Sequence, residues 1–302
     1  MLTRDASEVV HLKPAPFEYH APESVADAVG LLAEHADEAK PLAGGQSLVP
    51  LLALRLTRFA HLVDLNRIGE LQGVRRSNGT LTIGAMTRQR TIEDDPQVSE
   101  AVPLLGLATP LIGHFQIRNR GTVGGSLAHA DPASELPAVA LALDAEFELA
   151  STRGTRRVAA ADFFEGTWTT AAADDELLVA THFPVWEGRV GFAFEEVARR
   201  HGDFAMTGVA TAVELDGNGK VARGAIGFLG MGSTPERARA AEAELLGDAP
   251  PTAPALTELA QLAVRDLDPP DDIHASSRYR TRVGAHLVER TLTRALEAAA
   301  NG

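Results

Sequence analysis

The chain of 302 residues carries a formal net charge of −13 at pH 7 and contains no cysteine. The acidity argues against nucleic acid and anionic lipid as partners, and the missing thiolates exclude disulfides, cysteine-zinc sites and iron–sulfur clusters from this chain. The sequence has no apolar run of about eighteen residues that would span a membrane. Residues 1–13 also lack the apolar core of a secretory signal, so we expect a cytoplasmic protein.

The N-terminal part of the sequence predicts short helices and strands in alternation. Ser24 has the side chain of an N-cap, and apolar residues then recur at helical spacing over 25–34. Asn78-Gly79 between two apolar stretches is a strong signal for a hairpin. The other predicted elements of this part are strands at 41–43 and 61–66, a helix at 47–55 and hairpin strands at 71–76 and 80–85.

After the hairpin the sequence predicts further helices and strands in mixed order, and this order changes near residue 187. From there three strands are followed by three helices, which predicts an α+β fold with a separate C-terminal unit. The predicted elements are helices at 104–111 and 133–143, strands at 145–150 and 177–183, a three-stranded meander at 190–198, 207–215 and 221–229, helices at 236–246, 255–267 and 278–298, and a linker at 247–254.

Two glycine-rich segments are the most informative part of the sequence. The first glycine loop is residues 43–48 (AGGQSL), and the second glycine loop is residues 122–126 (TVGGS). Glycine lets backbone approach a bulky anion, and free N–H groups of a tight turn can then bind phosphate oxygens. A single glycine pair is more often an ordinary turn, and neither loop is a standard phosphate motif. Two such loops suit a ligand with two phosphates, such as a dinucleotide.

The flanks of these loops resemble a known family. The matching strings occur in order along nearly the whole chain, from about residue 14 to residue 296: AGGQSL at 43–48, IGAMT at 83–87, QIRNRGTVGGS at 116–126, AHADP at 128–132, ADFF at 161–164 and RRHGDFA at 199–205. Together they resemble the FAD-binding medium subunit of the molybdenum hydroxylases, the family of carbon monoxide dehydrogenase and xanthine dehydrogenase.

The resemblance implies an α+β fold: an FAD-binding fold of the vanillyl-alcohol-oxidase (PCMH) type, followed by a C-terminal three-stranded sheet with helices. Residues 1–65 and 66–188 would form two α+β subdomains around FAD, and residues 189–302 the C-terminal domain. The implied cofactor-binding residues are Ala43, Gly44, Gly45, Gln46, Ser47, Leu48, Ile112, Ile117, Thr122, Gly124, Gly125, Ser126, Asp131, Ser134, Glu135 and Leu178.

The resemblance also implies a role for each group of these residues. The first glycine loop would wrap the pyrophosphate with backbone N–H groups, and the second would close from the other side with two hydroxyls. The two isoleucines and Leu178 would lie near the isoalloxazine, and Asp131, Ser134 and Glu135 would bind ribityl or ribose hydroxyls. We expect Val at Gly44 or Gly125 to impair FAD retention more than folding.

The implied function is an electron-transfer subunit with no catalytic acid or base and no metal ligand of its own. FAD on this chain would receive electrons from [2Fe–2S] clusters on a small iron–sulfur subunit and pass them to NAD, quinone, oxygen or another acceptor. The molybdopterin cofactor would lie on a large subunit, in a dimer of heterotrimers. The alternatives are a self-sufficient FAD-dependent oxidoreductase on the same fold and a subunit that has lost the cofactor.

Several charged and aromatic residues admit two interpretations. Some relatives carry lysine at the position of Glu195, so Arg199 or Arg200 would have to supply a cation near the flavin, or the flavin potential would differ. Arg118 and Arg120 suit either a phosphate or a partner surface. Structural roles are expected for His114 and His129, packing roles for Trp168 and Trp186, and turn or helix-start roles for Asp94, Asp95, Asp271 and Asp272.

Overall fold

The computed structural model describes residues 13–247 and 249–302. Residues 1–12, which hold most of the segment considered as a secretory signal, and Asp248 in the predicted linker lie outside the described residues. The strands are β1 (Glu18–His20), β2 (Ala39–Leu42), β3 (His61–Asp64), β4 (Val74–Ser77), β5 (Thr80–Gly84), β6 (Glu146–Ser151), β7 (Gly154–Ala159), β8 (Phe164–Gly166), β9 (Thr169–Thr170), β10 (Leu177–Pro184), β11 (Arg189–Val197), β12 (Thr207–Leu215), β13 (Val221–Leu229) and β14 (Glu236–Arg237).

The helices are mostly short, except for the long one at the C-terminal end of the sequence. They are α1 (Val25–His35), α2 (Leu48–Ala53), α3 (Gln89–Asp94), α4 (Pro96–Ala101), α5 (Pro103–Ala108), α6 (Phe115–Arg118), α7 (Val123–His129), α8 (Glu135–Ala142), α9 (Ala160–Phe163), α10 (Arg239–Leu245), α11 (Ala253–Val264) and α12 (Ser277–Asn301).

The first part of the chain forms a small parallel sheet covered by α1. The strand order is β1-β3-β2, so Pro41 lies on an edge strand, where its missing N–H costs no ladder hydrogen bond. The Ser24 side chain accepts a hydrogen bond from the Asp27 N–H at 3.1 Å and caps α1, as predicted. Helix α1 buries Ala28 and Leu32 at a spacing of four residues, which is the face it turns to the sheet.

A five-stranded antiparallel sheet, in the order β4-β5-β10-β6-β7, forms the middle of the molecule. The predicted hairpin is present, and Asn78 and Gly79 have φ values of 50° and 72°, as a type I′ turn requires. One face of this sheet is mostly apolar, and Phe147 and Phe163 pack there with ring centroids 4.4 Å apart. The same buried cluster extends to Phe194 of β11 and Ala212 of β12, so the middle of the chain and the C-terminal sheet share one core.

The C-terminal sheet has the order β11-β12-β13-β14, and α12 packs across it. The three predicted strands are present within one residue of their predicted ends, and the two-residue β14 makes a fourth strand that the sequence did not predict. A Cβ on Gly191 would lie 1.8 Å from the Ala295 carbonyl oxygen, so helix and strand backbones touch there. The hydroxyls of Thr211 and Thr291 form a buried hydrogen bond of 2.8 Å across the same interface.

The predicted α+β fold class is confirmed, and the division at residues 65 and 188 stays a prediction. One local prediction is wrong: the second glycine loop is not a free turn, because Val123 to Ser126 already belong to α7. Asp95 caps α4 by accepting from the Gln97 N–H at 2.9 Å, which agrees with a helix-start role. Among the described residues, no helix combines the length and apolarity needed to cross a bilayer.

Candidate functional site

The two glycine loops lie against each other, although about eighty residues separate them in the sequence. A Cβ added to Gly44 would lie 2.4 Å from the Arg120 carbonyl oxygen and 2.8 Å from the Gly121 Cα. A Cβ on Gly125 would lie 3.2 Å from the Ala43 Cβ. Glycine is therefore required at position 44 by protein backbone, before any ligand is considered. A side chain at Gly44 is therefore expected to disturb folding as well as FAD retention, whereas the sequence analysis expected the effect mainly on FAD retention.

The backbone N–H groups of the first glycine loop are free to bind a ligand. In the part of the chain that the structure describes, the N–H groups of residues 44–47 donate to no protein acceptor. The loop turns through Gly45 at a φ of 74°, and the Gln46 side-chain amide donates to the Gly44 carbonyl at 3.1 Å. Ser47 precedes α2, and Leu48 is its first residue and half-buried. This arrangement presents consecutive donors to an anion.

The second glycine loop is hydrogen-bonded within the protein. Its N–H groups at 123 and 124 donate to the carbonyls of Thr87 and Ala85, at 3.0 and 2.8 Å. The Gly125 N–H donates to the Thr122 hydroxyl at 3.0 Å, which is an N-cap of α7, and the Ser126 N–H donates to the Thr122 carbonyl at 3.1 Å. This loop therefore offers a ligand its hydroxyl groups, while its backbone donors are already used.

Gly124 has a packing role in the same place. A Cβ at this position would lie 2.4 Å from the Ala85 Cβ, so a side chain would push α7 away from the end of β5. The Ala85 N–H in turn donates to the Val179 carbonyl at 2.9 Å on β10. Leu178, the predicted ring contact, is the preceding residue and is buried in the same cluster as Leu127 of α7. Leu178 is therefore buried beside α7, the helix that contains Val123 to Ser126 of the second glycine loop.

Arg88 joins the two loops and was not identified from the sequence. Its guanidinium donates to the Arg120 carbonyl and, at 2.6 Å, to the Asn66 side-chain oxygen. The Asn66 amide donates to the Ala43 carbonyl at 3.0 Å, at the start of the first glycine loop. Burial and then the neighbouring charge of Arg120 lower the pKa of Arg88, which still carries a full positive charge at neutral pH. The site thus has a fixed cation beside free N–H donors.

Asp64 supports this arrangement from β3. It accepts hydrogen bonds from the Tyr19 hydroxyl and, at 2.9 Å, from the Asn66 N–H. Burial raises the pKa of Asp64, but these hydrogen bonds and the charge of Arg120 outweigh it and hold the pKa below its ordinary value. Asp64 is therefore an anion that orients Asn66.

Ile112 and Ile117 border a short segment before the second glycine loop. Ile112 is half-buried against the main hydrophobic cluster, and 37% of the Ile117 surface is exposed. The loop between β11 and β12 reaches this segment, because a Cβ on Gly202 would lie 2.6 Å from the His114 ring. That loop carries Phe204 of the RRHGDFA string, with 64% of its surface exposed, a residue to which the sequence analysis assigned no role. The loop between β11 and β12 therefore lies against His114, in the segment between the two isoleucines.

Asp131, Ser134 and Glu135 follow α7 and begin α8. Asp131 accepts from the Ala133 N–H at 2.9 Å and from the Trp168 indole N–H at 3.2 Å, while Ser134 is buried at the start of α8. Glu135 is 6% exposed. Its burial, together with the negative charge of a second glutamate on β11, raises its pKa to about 8. Glu135 is therefore protonated at neutral pH and can donate a hydrogen bond.

The second glutamate is Glu196, which the sequence reasoning missed. Burial raises its pKa to about 7, and its Oε2 has no hydrogen-bond partner among the described residues. The neighbouring Glu195 points away and pairs with Arg290 and Arg294 of α12, at 3.0 and 2.5 Å. Alternation along a strand puts adjacent side chains on opposite faces, and this signal could have distinguished the two. Glu195 therefore takes no part in this site.

The structure shows the surroundings of Arg118, Trp168 and Trp186, whose roles the sequence analysis discussed. Arg118 is buried and its Nε lies 2.7 Å from Glu93, so it is a structural ion pair and has no phosphate role. Trp186 is buried, as expected for packing, whereas Trp168 is 62% exposed and stacks on His129 with ring centroids 6.2 Å apart. The expectation of a packing role for Trp168 is only half right, because one face of its ring is open.

Comparison with known proteins identifies the family. The family described as "FAD binding domain in molybdopterin dehydrogenase" matches residues 15–186, and "CO dehydrogenase flavoprotein C-terminal domain" matches residues 192–295. The chain belongs to the FAD-binding medium subunits of the molybdenum hydroxylase family. The resemblance drawn from the motifs is confirmed, and so is FAD as the cofactor of this chain.

The relatives match over nearly the whole length of both chains. The 6-hydroxypseudooxynicotine dehydrogenase complex subunit alpha of Paenarthrobacter nicotinovorans is 43% identical, over 95% of this chain and 97% of that one. A carbon monoxide dehydrogenase structure from Hydrogenophaga pseudoflava superposes with a TM-score of 0.91 at 40% identity, over 94% and 99% of the two chains. Quinoline 2-oxidoreductase from Pseudomonas putida 86 gives 0.89 at 35% identity, over 95% and 99%.

Proposed function

We propose that this chain is the FAD-carrying, electron-transferring subunit of a cytoplasmic molybdenum hydroxylase. It would accept electrons from [2Fe–2S] clusters on a small subunit and pass them to an external acceptor, with the molybdenum cofactor on a large subunit, in a dimer of heterotrimers. The observation that carries the proposal is the full-length match to subunits named as parts of dehydrogenase complexes. This chain has no cysteine, so clusters bound by thiolates must lie on another polypeptide.

The first glycine loop is the proposed pyrophosphate site. Its free N–H groups at residues 44–47 and the cation of Arg88 suit a doubly charged anion. The second glycine loop has no free backbone donors at 123–126, so we assign it the hydroxyls of Thr122 and Ser126 and the packing that holds the first loop in place. The Thr122 hydroxyl already accepts from Gly125 and keeps its own hydrogen for a ligand oxygen.

The remaining predicted residues surround the rest of the proposed site. Bound FAD supplies the redox chemistry, and the protein binds, orients and shields it. We assign Ile112, Ile117 and Leu178 to the ring system. We assign Asp131, Ser134 and Glu135 to the ribityl or ribose hydroxyls; a protonated Glu135 would donate to a hydroxyl oxygen, and the unpartnered Glu196 Oε2 would accept from one. None of these side chains needs to act as an acid or base on an organic substrate.

The organic substrate of the complex is not chosen by this chain. Subunits similar to it belong to enzymes named for 6-hydroxypseudooxynicotine, carbon monoxide, caffeine and glyceraldehyde. Since such different molecules accompany one type of flavin subunit, we place substrate recognition on the large subunit.

Purification of the chain alone and with its two predicted partners tests the proposal. Alone, it should bind one FAD per chain and oxidise no aldehyde, purine or N-heterocycle. With the small subunit reduced by dithionite, its flavin absorbance should bleach at a rate that depends on that subunit. Substrate turnover by the isolated chain would establish the self-sufficient enzyme instead, and failure to bind FAD after reconstitution would establish a subunit without cofactor.

A further inference from the structure

Three histidines converge at the N-terminal sheet, away from the glycine loops. His20 ends β1, His35 ends α1 and His61 begins β3. One ring nitrogen of each can be chosen so that all three lie within 4.8 Å of one another. The His20 Nε2 and His61 Nδ1 are 3.1 Å apart, and the His35 and His61 rings stack with centroids 3.7 Å apart.

The strand pairing explains why these side chains meet. In the parallel pair of β1 and β3, Glu18 is opposite His61, and the Glu18 Oε2 lies 3.7 Å from the His61 Nδ1. All three histidines are half-buried, so their rings are partly withdrawn from water but still reachable. The cluster therefore joins two strands and a helix through polar imidazole rings, at a junction where apolar side chains would need no hydrogen-bond partners.

The cluster is separate from the proposed flavin site. His61 pairs with Ala39, the first residue of β2. The first glycine loop follows directly after Leu42, the last residue of that strand. Three residues of extended chain span roughly 10 Å, so a ligand at the histidines would not touch the pyrophosphate. Any function of the histidines is thus independent of FAD chemistry.

We propose that His20, His35 and His61 bind one divalent transition-metal ion of the zinc type. Neutral imidazole is a preferred ligand of such ions, and three imidazoles leave one position for a carboxylate or water. Metal–nitrogen bonds of about 2.0–2.1 Å in a tetrahedron separate ligand nitrogens by roughly 3.4 Å. The His20–His61 pair at 3.1 Å is already close to this spacing. The exposed Glu18 carboxylate can complete the set.

Binding requires one ring to turn. The His35 and His61 rings are parallel within 7°, and a metal ion must lie near the plane of each imidazole that binds it, so the present stack cannot bind one ion through both rings. Rotation of the His35 side chain directs its nitrogen towards the other two. His35 is the last residue of α1 and half-buried, which leaves its ring room to move. The metal then replaces a ring stack by coordinate bonds.

The expected consequence is a metal that fastens β1, α1 and β3 together. The ligands come from three different elements and the site is separate from the flavin loops, so we assign the metal a structural role. Because ligands come from three elements that lie apart in the unfolded chain, binding and folding of this unit are coupled. The protein should therefore have a higher melting temperature with the metal bound than without it.

Cobalt(II) titration of the full-length, FAD-loaded protein without a histidine tag tests the proposal. Co²⁺ bound by three imidazoles gives visible absorption bands, and Zn²⁺ should displace it with a stoichiometry of one per chain. His35→Gln and His61→Gln should each weaken binding at least tenfold. His286→Gln removes an exposed histidine of α12 and is the matched control, with unchanged affinity. Zn²⁺ should raise the melting temperature of the wild type and of the control, but not of the other two variants.

The same measurements can overturn the proposal. Wild-type protein that binds no more Co²⁺ than His35→Gln, or a control that loses as much affinity as His61→Gln, would contradict it. If both cluster variants lose FAD or helical signal, X-ray absorption of the zinc-loaded wild type decides. A shell with three imidazole nitrogens supports the site, and a shell of oxygens alone refutes it.

Discussion

The contact between the two glycine loops can be tested with one methyl group. Gly44→Ala places a Cβ 2.4 Å from the Arg120 carbonyl oxygen and 2.8 Å from the Gly121 Cα. Ordinary contacts begin at 3.4 Å, so the loops must open by about 1 Å. Overpacking of this kind costs about 1–3 kcal/mol of folding free energy. The opening also moves the free N–H donors of residues 44–47 away from the Arg88 cation.

The loss of FAD affinity follows from the same displacement. A hydrogen bond to a charged group contributes about 1.5–3 kcal/mol, so misaligning one such bond weakens FAD binding about tenfold to a hundredfold. Fluorescence titration of the apoprotein measures the Kd, and urea unfolding of the same preparation measures stability. Both should worsen together in Gly44→Ala.

Gly30→Ala is the control for this experiment. Position 30 lies in α1 with no atom within 4 Å of the added Cβ, so alanine should stabilise the helix by up to about 1 kcal/mol and leave FAD affinity unchanged. A Gly44→Ala variant with wild-type FAD affinity and a wild-type unfolding midpoint would refute the direct contact between the loops. A variant with normal stability and lost FAD would support the original expectation that FAD retention suffers more than folding.

Three further perturbations probe other parts of the structure. The pKa of Glu135 is raised from 4.5 to about 8, so its contribution to the stability of the folded apoprotein is fully present below pH 4.5. That contribution, on the order of 5 kcal/mol, is lost as the pH rises from 4.5 through 8; Glu135→Gln should flatten this slope in urea unfolding, and an unchanged slope contradicts the assignment. Arg237→Ala leaves the buried Glu242 without its cation, since the Glu242 carboxylate lies 2.8 Å from the Arg237 Nε, and should lower the free energy of unfolding by about 3–5 kcal/mol. A decrease below about 1 kcal/mol would show that the pair is solvated. Thr122→Val removes the α7 cap and should cost about 1 kcal/mol, with Thr122→Ser near wild type, measured by thermal unfolding.

Much of the fold was predictable because local signals agree with tertiary packing. The meander of β11 to β13 has apolar runs of strand length with turn residues between them, and the structure reproduces these strands within one residue. Asn78-Gly79 adopts the backbone that its turn type demands, and Ser24 caps α1 as its side chain suggests. In these segments the local preference of the chain and the final packing point to the same structure.

The site was only partly predictable because its glycines serve the protein as well as the ligand. Sequence reasoning assigned Gly44 and Gly125 to phosphate, and that assignment stays a prediction. The structure adds that a Cβ at Gly44 would also meet Arg120 and Gly121, and a Cβ at Gly125 would meet Thr122 and Ala43. Sequence reasoning also treated residues 122–126 as a turn, since two glycines disfavour a helix. Packing of Gly124 on Ala85 and the Thr122 cap override that preference. Such contacts join residues far apart in the sequence, so no local pattern reports them.

The roles of the half-buried charged residues could not be predicted from the sequence for a similar reason. Arg88 carries no motif, and only the fold brings it beside Asn66 and the Arg120 carbonyl. Of the adjacent Glu195 and Glu196, the family resemblance drew attention to the first, but the face of β11 to which each belongs is decided by where α12 packs. The orientation of a strand against its neighbours is a long-range property, and the residue order alone does not give it.

The two glycine loops differ in backbone hydrogen bonding, so their amide hydrogens should exchange with water at different rates. Amide hydrogens without a protein acceptor exchange with water rapidly, while bonded ones wait for a local opening of the structure. Without cofactor, residues 44–47 should lose their hydrogens quickly and residues 123–126 slowly, in accordance with the acceptors found among the described residues. A bound pyrophosphate would slow the first group to match the second. Deuterium uptake in a single peptide would then report how many copies of this subunit hold flavin within a large assembly, where other chromophores obscure its absorbance.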